Sequence, residues 1–142
     1  MAGENDPYSL ARFVEAQQGV IEKAMDELER GRKTSHWMWF VFPQLAGLGL
    51  SVMSRRYAIS GLPEARAYLA HDALGPRLRE SARLVVAHKG RTAHDIFGAP
   101  DDRKFSSSMT LFLRAAGGGS VFDEALDAFF DGQRDVATLD RL

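Results

Sequence analysis

Hydrophobic positions recur three and four residues apart along most of the chain, which is the period of an α-helix. The first series follows Asp6-Pro7, an acidic N-cap with a proline at the first helical position, and ends before Gly31. Gly19 lies inside this series and weakens a helix by up to about 1 kcal/mol, so a kink or a division into two helices is expected there. One stripe of this amphipathic helix consists of Leu10, Phe13, Val14, Gln17, Ile21, Ala24 and Leu28.

The same period and the signals that end helices predict further helices downstream. Their predicted starts are Pro63, Leu74, Thr92, Pro100, Ser120 and Asp135. Thr92 with Asp95 resembles a capping box, and Ser120 with Asp123 caps a later helix. Because no strand-like alternation of useful length occurs outside residues 35–44, the predicted fold class is all-α. We expect a single compact orthogonal helical domain of about six to seven helices.

The composition, 45% hydrophobic and 26% charged residues in 142, is that of one globular domain covering residues 1–142. Residues 1–5 are expected to form a flexible N-terminus. The chain has no cysteine, which excludes disulfides and thiol nucleophiles and fits a reducing compartment. The N-terminus lacks a secretory pattern, and the longest apolar stretch is far shorter than the ~20 residues that span a bilayer. The expected location is therefore the cytoplasm, without membrane association.

The charges are balanced, with 18 Lys and Arg against 19 Asp and Glu and a formal net charge of −1. Proteins that bind polyanions usually carry a net positive charge or a basic patch, and here the basic residues are spread along the chain. The charge pattern therefore argues against nucleic acid as a partner. The expected oligomeric state is a monomer or a weak homodimer.

The segment Ser35–Gln44, with the sequence SHWMWFVFPQ, contains both tryptophans of the chain. Large aromatic side chains bury roughly 150–250 Å² each, so the segment can be a plug of the core in which Pro43 ends a short helix. Alternatively, the indole N–H groups, the His36 imidazole and the Gln44 amide are polar groups in an apolar wall, as in small-molecule pockets. The sequence leaves both interpretations open.

Motifs along most of the chain resemble those of a known family. They are Ala16-Gln17, Gly31-Arg32-Lys33, the segment Ser35–Gln44, Gly49-x-Ser51, Leu74-Gly75-x-Arg77-Leu78, Phe97-Gly98-x-x-Asp101-x-x-Lys104 and Ser107-Ser108-Met109-Thr110-Leu111-Phe112. The pattern resembles the bacterial family of domains of unknown function numbered eighteen-ten, from Pro7 to the last helix. The resemblance implies a mainly helical, single-domain protein. It brings no activity, so no catalytic residue is carried over.

Lys104, Ser107 and Ser108 share one predicted helix, where an ammonium group and hydroxyls can meet on one face. A Ser-x-x-Lys nucleophile would need a serine three residues before the lysine, but Asp101 occupies that position. Covalent serine catalysis is therefore not expected. The simpler interpretation is that Lys104 pairs with Asp101 or Asp102.

Neither a metal nor another cofactor is expected. The histidines have no metal-binding spacing and are His36, His71, His88 and His94. The run Gly117-Gly118-Gly119 lacks the spacing of a phosphate-binding loop and predicts a flexible connection between helices. His36 adjoins the aromatic segment and could act as an acid or base near neutral pH if it lines a pocket.

The first functional hypothesis is a ligand-binding or hydrolytic domain with a nucleotide-like ligand such as ADP-ribose. A planar group of the ligand would stack on a wall formed by Trp37, Trp39 and Phe42. Its polar and anionic parts would be recognised by His36, Gln44, Arg32, Lys33 and Lys104. The family motifs add two further polar candidates for ligand binding, Gln17 and Ser108. His36 or Asp102 would activate water for hydrolysis.

The second hypothesis is a binding module without chemistry, which presents the same aromatic segment to a protein partner or to a second copy of the chain. Trp, Phe and Arg side chains commonly anchor such contacts. Burial discriminates between the two hypotheses, since a concave pocket favours a ligand and an exposed flat aromatic patch favours a partner.

Overall fold

The computed structural model describes residues 5–142, and the regular structure within them is helical. The helices are α1 Ala11–Gln17, α2 Ile21–Arg30, α3 Met38–Val41, α4 Val52–Arg56, α5 Leu62–Ala70, α6 Leu74–Val86, α7 Ala93–Phe97, α8 Asp101–Ala116, α9 Val121–Phe130 and α10 Val136–Arg141. Residues 5–142 contain no strand, which confirms the all-α prediction. None of the described helices is long and apolar enough to cross a membrane. Residues 1–4 of the segment expected to be flexible lie outside the described residues.

The predicted number of six to seven helices is wrong, because the described residues form ten. At Gly19 the backbone φ is +71°, so the first stripe is divided into α1 and α2 as the glycine allowed. The short helices α3 and α4 span only four and five residues, too few for an apolar period to be recognised.

The first helix begins later than the sequence predicts. Asp6 does accept backbone N–H groups, from Leu10 at 2.7 Å and from Ala11 at 2.9 Å. However, Ser9 has a left-handed φ of 53°, which interrupts the helical path after Pro7. The regular helix therefore starts at Ala11, and Asp6 binds the amides of a preceding turn together with those of the helix start.

Helix α8 is the central element of the fold. It packs against α5, α7, α9 and α10, while α6 packs against α2, α5 and α9. The buried side chains of α8 are Phe105, Ser107, Ser108, Met109, Thr110, Leu111, Phe112 and Leu113. A helix that is buried on most of its surface for two turns is expected when neighbours surround it. Its first turn, Ser106 and its last three residues reach the surface.

Three phenylalanines join the aromatic segment to α7 and α8. The ring centroids of Phe42 and Phe105 are 5.0 Å apart, and those of Phe97 and Phe105 are 4.7 Å apart. Phe42 meets both rings edge to face, the arrangement that the charge distribution of aromatic rings favours. The segment after Pro43 returns to the core at Ile59, whose N–H donates to the Gln44 carbonyl at 2.9 Å.

The end of α2 confirms the predicted stop at Gly31. This glycine has a left-handed φ of 79°, and its N–H donates to the Leu28 carbonyl at 3.0 Å. Nε2 of His88 lies 2.9 Å from the carbonyl oxygens of both Leu28 and Glu29. The side chain that follows α6 thus contacts carbonyls at the end of α2, and the Leu28 carbonyl is shared between His88 and the Gly31 N–H.

Gly75, in the first turn of α6, provides a test of how tightly α5 and α6 meet. A Cβ at this position would lie 2.1 Å from the Leu69 carbonyl oxygen, which is backbone and cannot rotate away. We expect Gly75→Ala to lower the free energy of unfolding by about 1–3 kcal/mol, because α6 must shift. Chemical denaturation measures the loss.

Gly118→Ala is the matched control, because its nearest atom would be 3.7 Å from the new Cβ, an ordinary contact. Its free energy of unfolding should stay within about 0.5 kcal/mol of the wild-type value. An equal effect of both substitutions would contradict the close approach at Gly75.

Candidate functional site

One buried carboxylate organises the chain between α2 and α3. Glu27, 5% exposed, accepts N–H bonds from Thr34 at 2.8 Å and from Ser35 at 3.0 Å. The Ser35 hydroxyl donates to the same carboxylate at 2.7 Å, and the Trp37 indole N–H donates at 3.0 Å. Four donors from residues 34–37 therefore converge on one side chain of α2. This fixes the path of the loop and turns Trp37 into the core.

These hydrogen bonds determine the ionisation of Glu27. Burial alone raises the pKa of a carboxyl, but here the bonds from the Ser35 hydroxyl, the Thr34 N–H, the Trp37 indole and the Ser35 N–H outweigh it. The pKa of Glu27 is lowered from its ordinary 4.5 to about 2. The side chain is therefore ionised at neutral pH and stabilised by neutral donors.

A carboxylate flanked by two ammonium groups lies beside this loop. Nζ of Lys33 is 2.8 Å from Oδ2 of Asp101, and Nζ of Lys104 is 3.7 Å from Oδ1. The Lys33 side chain is only 7% exposed, and its backbone N–H donates to the Ile96 carbonyl at 2.7 Å. Lys33 thus ties the loop after α2 to the end of α7 and the first turn of α8.

A cavity of about 400 Å³ opens beside this triad. Its polar side is formed by Lys33, Thr34, Ser35, His36, Asp101 and Lys104. Its apolar side is formed by Met38, Trp39, Phe97, Ala99 and Pro100. The cavity therefore combines an apolar wall with a few charged groups, as small-molecule sites usually do. We refer to it as the lysine cavity.

Of the predicted site residues, Lys33, His36, Trp39 and Lys104 come together in the lysine cavity. Trp39 is partly exposed, and Nζ of Lys104 lies 5.6 Å from its ring centroid. A cation at this distance interacts favourably with an indole face. These residues come from the loop after α2, from α3 and from α8.

The predicted stacking wall of three aromatic residues is reduced to Trp39. Trp37 and Phe42 are completely buried, so neither offers a face to a ligand. The Trp37 indole is held inward by Glu27, and Phe42 packs on Phe97 and Phe105. For these two residues the core interpretation of the segment applies.

Gln17 is also a core residue. Its amide N–H₂ donates to the Phe40 carbonyl at 2.7 Å and to the Tyr68 hydroxyl at 3.3 Å. Its amide oxygen accepts from Arg77 at 3.2 Å. A buried polar side chain needs such partners, and here they join α1 to α3, α5 and α6.

The remaining candidates do not line the lysine cavity. Arg32 is exposed, Gln44 is half-buried at the start of the loop to α4, and Ser108 is completely buried within α8. Asp102 faces His94, with 3.5 Å between Oδ2 and the histidine Nδ1, and so is not placed to activate water in the cavity. The structure therefore does not bring Asp102 together with His36 at the cavity, and its catalytic role stays a prediction.

Two important acids were absent from the predicted site. The sequence predicted Asp101 or Asp102 as the ion-pair partner of Lys104, and the structure shows the pair with Asp101 at 3.7 Å, but Asp101 was not counted among the site residues. Glu27 lies three residues after Ala24, on the buried face of α2. An acidic residue at a position where the helical period predicts burial was the signal that could have identified it. Nothing in the sequence showed which donors it would bind.

The histidines do not form a metal centre. Within residues 5–142, no group of three or more His, Cys, Asp or Glu side chains could hold a metal ion. Nδ1 of His71 accepts N–H bonds from Ala73 and Leu74 at the start of α6, and His88 binds the carbonyls at the end of α2. Only His36 lines the lysine cavity.

A larger cavity of about 670 Å³ lies between the N-terminal turn, α1 and α5. Its lining is mainly apolar, and its charged side chains are Asp6 and Glu15. It has no lysine or arginine to receive an anion, and the aromatic segment does not reach it. Size alone does not select a site, so the lysine cavity is the stronger candidate.

Because the pKa of Glu27 is lowered in the folded protein, the free energy of unfolding should depend on pH. A carboxyl with a lowered pKa stabilises the fold above its unfolded pKa and loses this contribution as the pH falls toward its folded pKa. For Glu27 the contribution is present above about pH 5 and is lost between about pH 5 and pH 2. Glu27→Gln should lower the free energy of unfolding by about 3 kcal/mol at pH 7, and this loss should shrink by about 2 kcal/mol at pH 3.

Urea denaturation at the two pH values provides the measurement. Glu29→Gln, an exposed position on the same helix, is the control and should change stability little at either pH. A loss for Glu27→Gln that is the same at pH 3 and pH 7 would show that its charge is not responsible.

Comparison with known proteins agrees with the fold but adds no activity. The chain is 52% identical to "the conserved hypothetical protein Rv1873 from Mycobacterium tuberculosis", whose crystal structure it matches with a TM-score of 0.94 over 96% of this chain and 98% of that one. No functionally curated protein matches the sequence. A family model described as "Protein of unknown function (DUF1810)" matches residues 7–142. The chain therefore belongs to the DUF1810 family, which carries the number that the motif resemblance gave.

Proposed function

We propose that this domain binds a small ligand with an anionic group and a planar group, such as a nucleotide or ADP-ribose, in the lysine cavity. The observation that carries the proposal is the triad of Lys33, Asp101 and Lys104. Two ammonium groups flank one carboxylate, so these three side chains hold a net charge of +1 at the wall of a cavity. A positive charge in a partly enclosed site attracts anions.

The two lysines have different roles in this proposal. Lys33 is nearly buried and bonded to Asp101 at 2.8 Å, so it holds the carboxylate in place. Lys104 is 23% exposed, and its 3.7 Å distance to Asp101 exceeds hydrogen-bond length. Lys104 can therefore bind a phosphate oxygen without giving up an existing hydrogen bond, and it is the anion-binding group.

The apolar side of the cavity suits the planar part of the ligand. Met38, Trp39 and Pro100 contribute to this wall, and Trp39 has the largest ring. Aromatic bases gain free energy by packing against such surfaces, roughly 1–3 kcal/mol per base on an aromatic side chain. The ligand would thus be oriented with its anion toward α8 and its ring toward α3.

Binding is supported more strongly than hydrolysis. In the cavity, Asp101 is engaged with two ammonium groups, and Asp102 is outside the lining. His36 is then the candidate for proton transfer, and it is exposed. A hydrolytic activity of this domain would depend on His36, which distinguishes it experimentally from binding, for which Lys104 and Trp39 are needed.

The burial of the aromatic segment counts against its use as a protein-interaction surface. Trp37, Phe40 and Phe42 belong to the core. The large exposed apolar residues nearest in sequence are Leu50, in the loop before α4, and Val52, the first residue of α4, at 77% and 79% exposure. They favour no particular partner.

Thermal denaturation with AMP, ADP-ribose, NAD and inorganic phosphate tests the proposal. At one hundred times its dissociation constant, a ligand adds about 2.7 kcal/mol of apparent stability, which raises Tm by several degrees. We expect a rise for at least one nucleotide. The rise should be lost in Lys104→Gln and reduced in Trp39→Ala. His36→Gln should abolish any accompanying hydrolysis while leaving the rise in Tm.

Lys89→Gln is the matched control, since Lys89 is exposed beyond the end of α6 and does not line the cavity. It should keep the full rise in Tm. The proposal is refuted if no nucleotide in the panel stabilises the wild-type protein, or if Lys104→Gln and Lys89→Gln behave alike.

A further inference from the structure

We infer that Asp101 makes the lysine cavity selective for ligands that carry sugar hydroxyls, because its carboxylate accepts a hydrogen bond from the ribose of a nucleotide. This inference rests on the proposed function and narrows it to a ligand class, nucleotides with an unsubstituted ribose diol. It gives Asp101 a role in recognition in addition to its ion pairs.

The Asp101 carboxylate has hydrogen-bond acceptor positions that its lysine partners do not use. An ionised carboxylate has two oxygens with about four acceptor positions and no donor. Lys33 uses one position at Oδ2, at 2.8 Å. Nζ of Lys104 is 3.7 Å from Oδ1, which is close enough for charge attraction but too long for a hydrogen bond. Oδ1 therefore keeps acceptor capacity.

The Asp101 carboxylate can be reached from the lysine cavity. The Asp101 side chain is 19% exposed and lines the lysine cavity. A ligand that enters the cavity must face this carboxylate as well as Lys104. Phosphate oxygens are acceptors and would be repelled by Asp101, so the part of the ligand next to it must be a donor.

A nucleotide meets both requirements with a single molecule. Its phosphate offers acceptors to the Lys104 ammonium, and its ribose hydroxyls offer donors to the Asp101 carboxylate. Its base then packs on the apolar wall that includes Trp39. A ligand without hydroxyls would leave Asp101 desolvated and unpaired on one side, which is costly. Inorganic phosphate would meet the repulsion without the compensation.

Burial of Lys33 makes this arrangement specific. The nearly buried ammonium holds Asp101 at 2.8 Å and also lies 5.1 Å from the Trp37 ring centroid. Its backbone is fixed by the bond to the Ile96 carbonyl. The carboxylate therefore cannot rotate away to avoid an unsuitable ligand without leaving a buried charge unpaired. A rigid acceptor discriminates better than a mobile one.

The decisive experiment compares AMP with 2′,3′-dideoxy-AMP by isothermal titration calorimetry. In the wild-type protein we expect AMP to bind at least ~10-fold more tightly, the size of one hydrogen bond to a charged group. The double variant Lys33→Met/Asp101→Ala removes the acceptor with its buried partner and keeps the net charge of the triad at +1 through Lys104. It should bind the two nucleotides equally, and its affinity for dideoxy-AMP should rise, because no carboxylate is left unpaired beside that ligand.

The single variant Asp101→Asn gives an independent test, in which an affinity is expected to increase. It removes the negative charge that repels anions, so the affinity for inorganic phosphate should rise by ~5-fold or more. A variant that was merely unfolded or distorted would lose this affinity, and circular dichroism confirms that each variant is folded.

The outcomes distinguish a failure of the proposed Asp101 selectivity from a failure of the proposed nucleotide site. Equal wild-type binding of AMP and dideoxy-AMP would overturn the selectivity of Asp101 and leave the proposed nucleotide site intact. Retention of the preference in the double variant would also overturn it, because the acceptor would lie elsewhere. Absence of any nucleotide binding would overturn the proposed function and this inference together.

Discussion

The ionised carboxylate of Glu27 is the interaction on which the site depends. A charged group in a nearly buried position is stable only when its hydrogen bonds replace water, and Glu27 obtains four from residues 34–37. The same bonds decide which side chains of the loop face inward. Trp37 is drawn to the carboxylate and into the core. Lys33 and Trp39, on either side of it, are left to line the cavity.

The sequence predicted those helices whose ends carry a clear chemical signal. Gly31 ends α2 in a left-handed conformation, and Thr92 with Asp95 forms the capping box of α7. The predictions were less accurate where the outcome depends on backbone torsion or on short segments. The left-handed Ser9 delays the start of α1, and α4 has no buried residue that could have marked it. Such elements are stabilised by tertiary contacts more than by a helical period of their own hydrophobic residues.

The grouping of the candidate site residues could be predicted only in part, for a similar reason. Lys33, His36, Trp39 and Lys104 were chosen for their chemistry, and the fold brings them together. Phe42 was chosen on the same grounds but belongs to the core. Side chains at adjacent positions of an irregular segment can point in opposite directions. The composition of the segment does not show which of them face the core and which face the cavity. Distant partners, such as Glu27 for Trp37 or Arg77 for Gln17, decide the direction, and no local pattern reports them.

Helix α8 joins the cavity to the centre of the molecule in one rigid element. Its first turn carries Asp101 and Lys104, and its residues 107–113 are buried where it packs against α5, α7, α9 and α10. A displacement of the first turn would disturb close-packed side chains along the helix, which resist small continuous shifts. The surface that we propose for ligand binding is therefore preformed, and little ordering free energy would oppose ligand entry. A rigid surface of this kind suits the proposed role of holding a ligand, whereas signalling that a ligand has bound by a change of shape would require a more mobile scaffold.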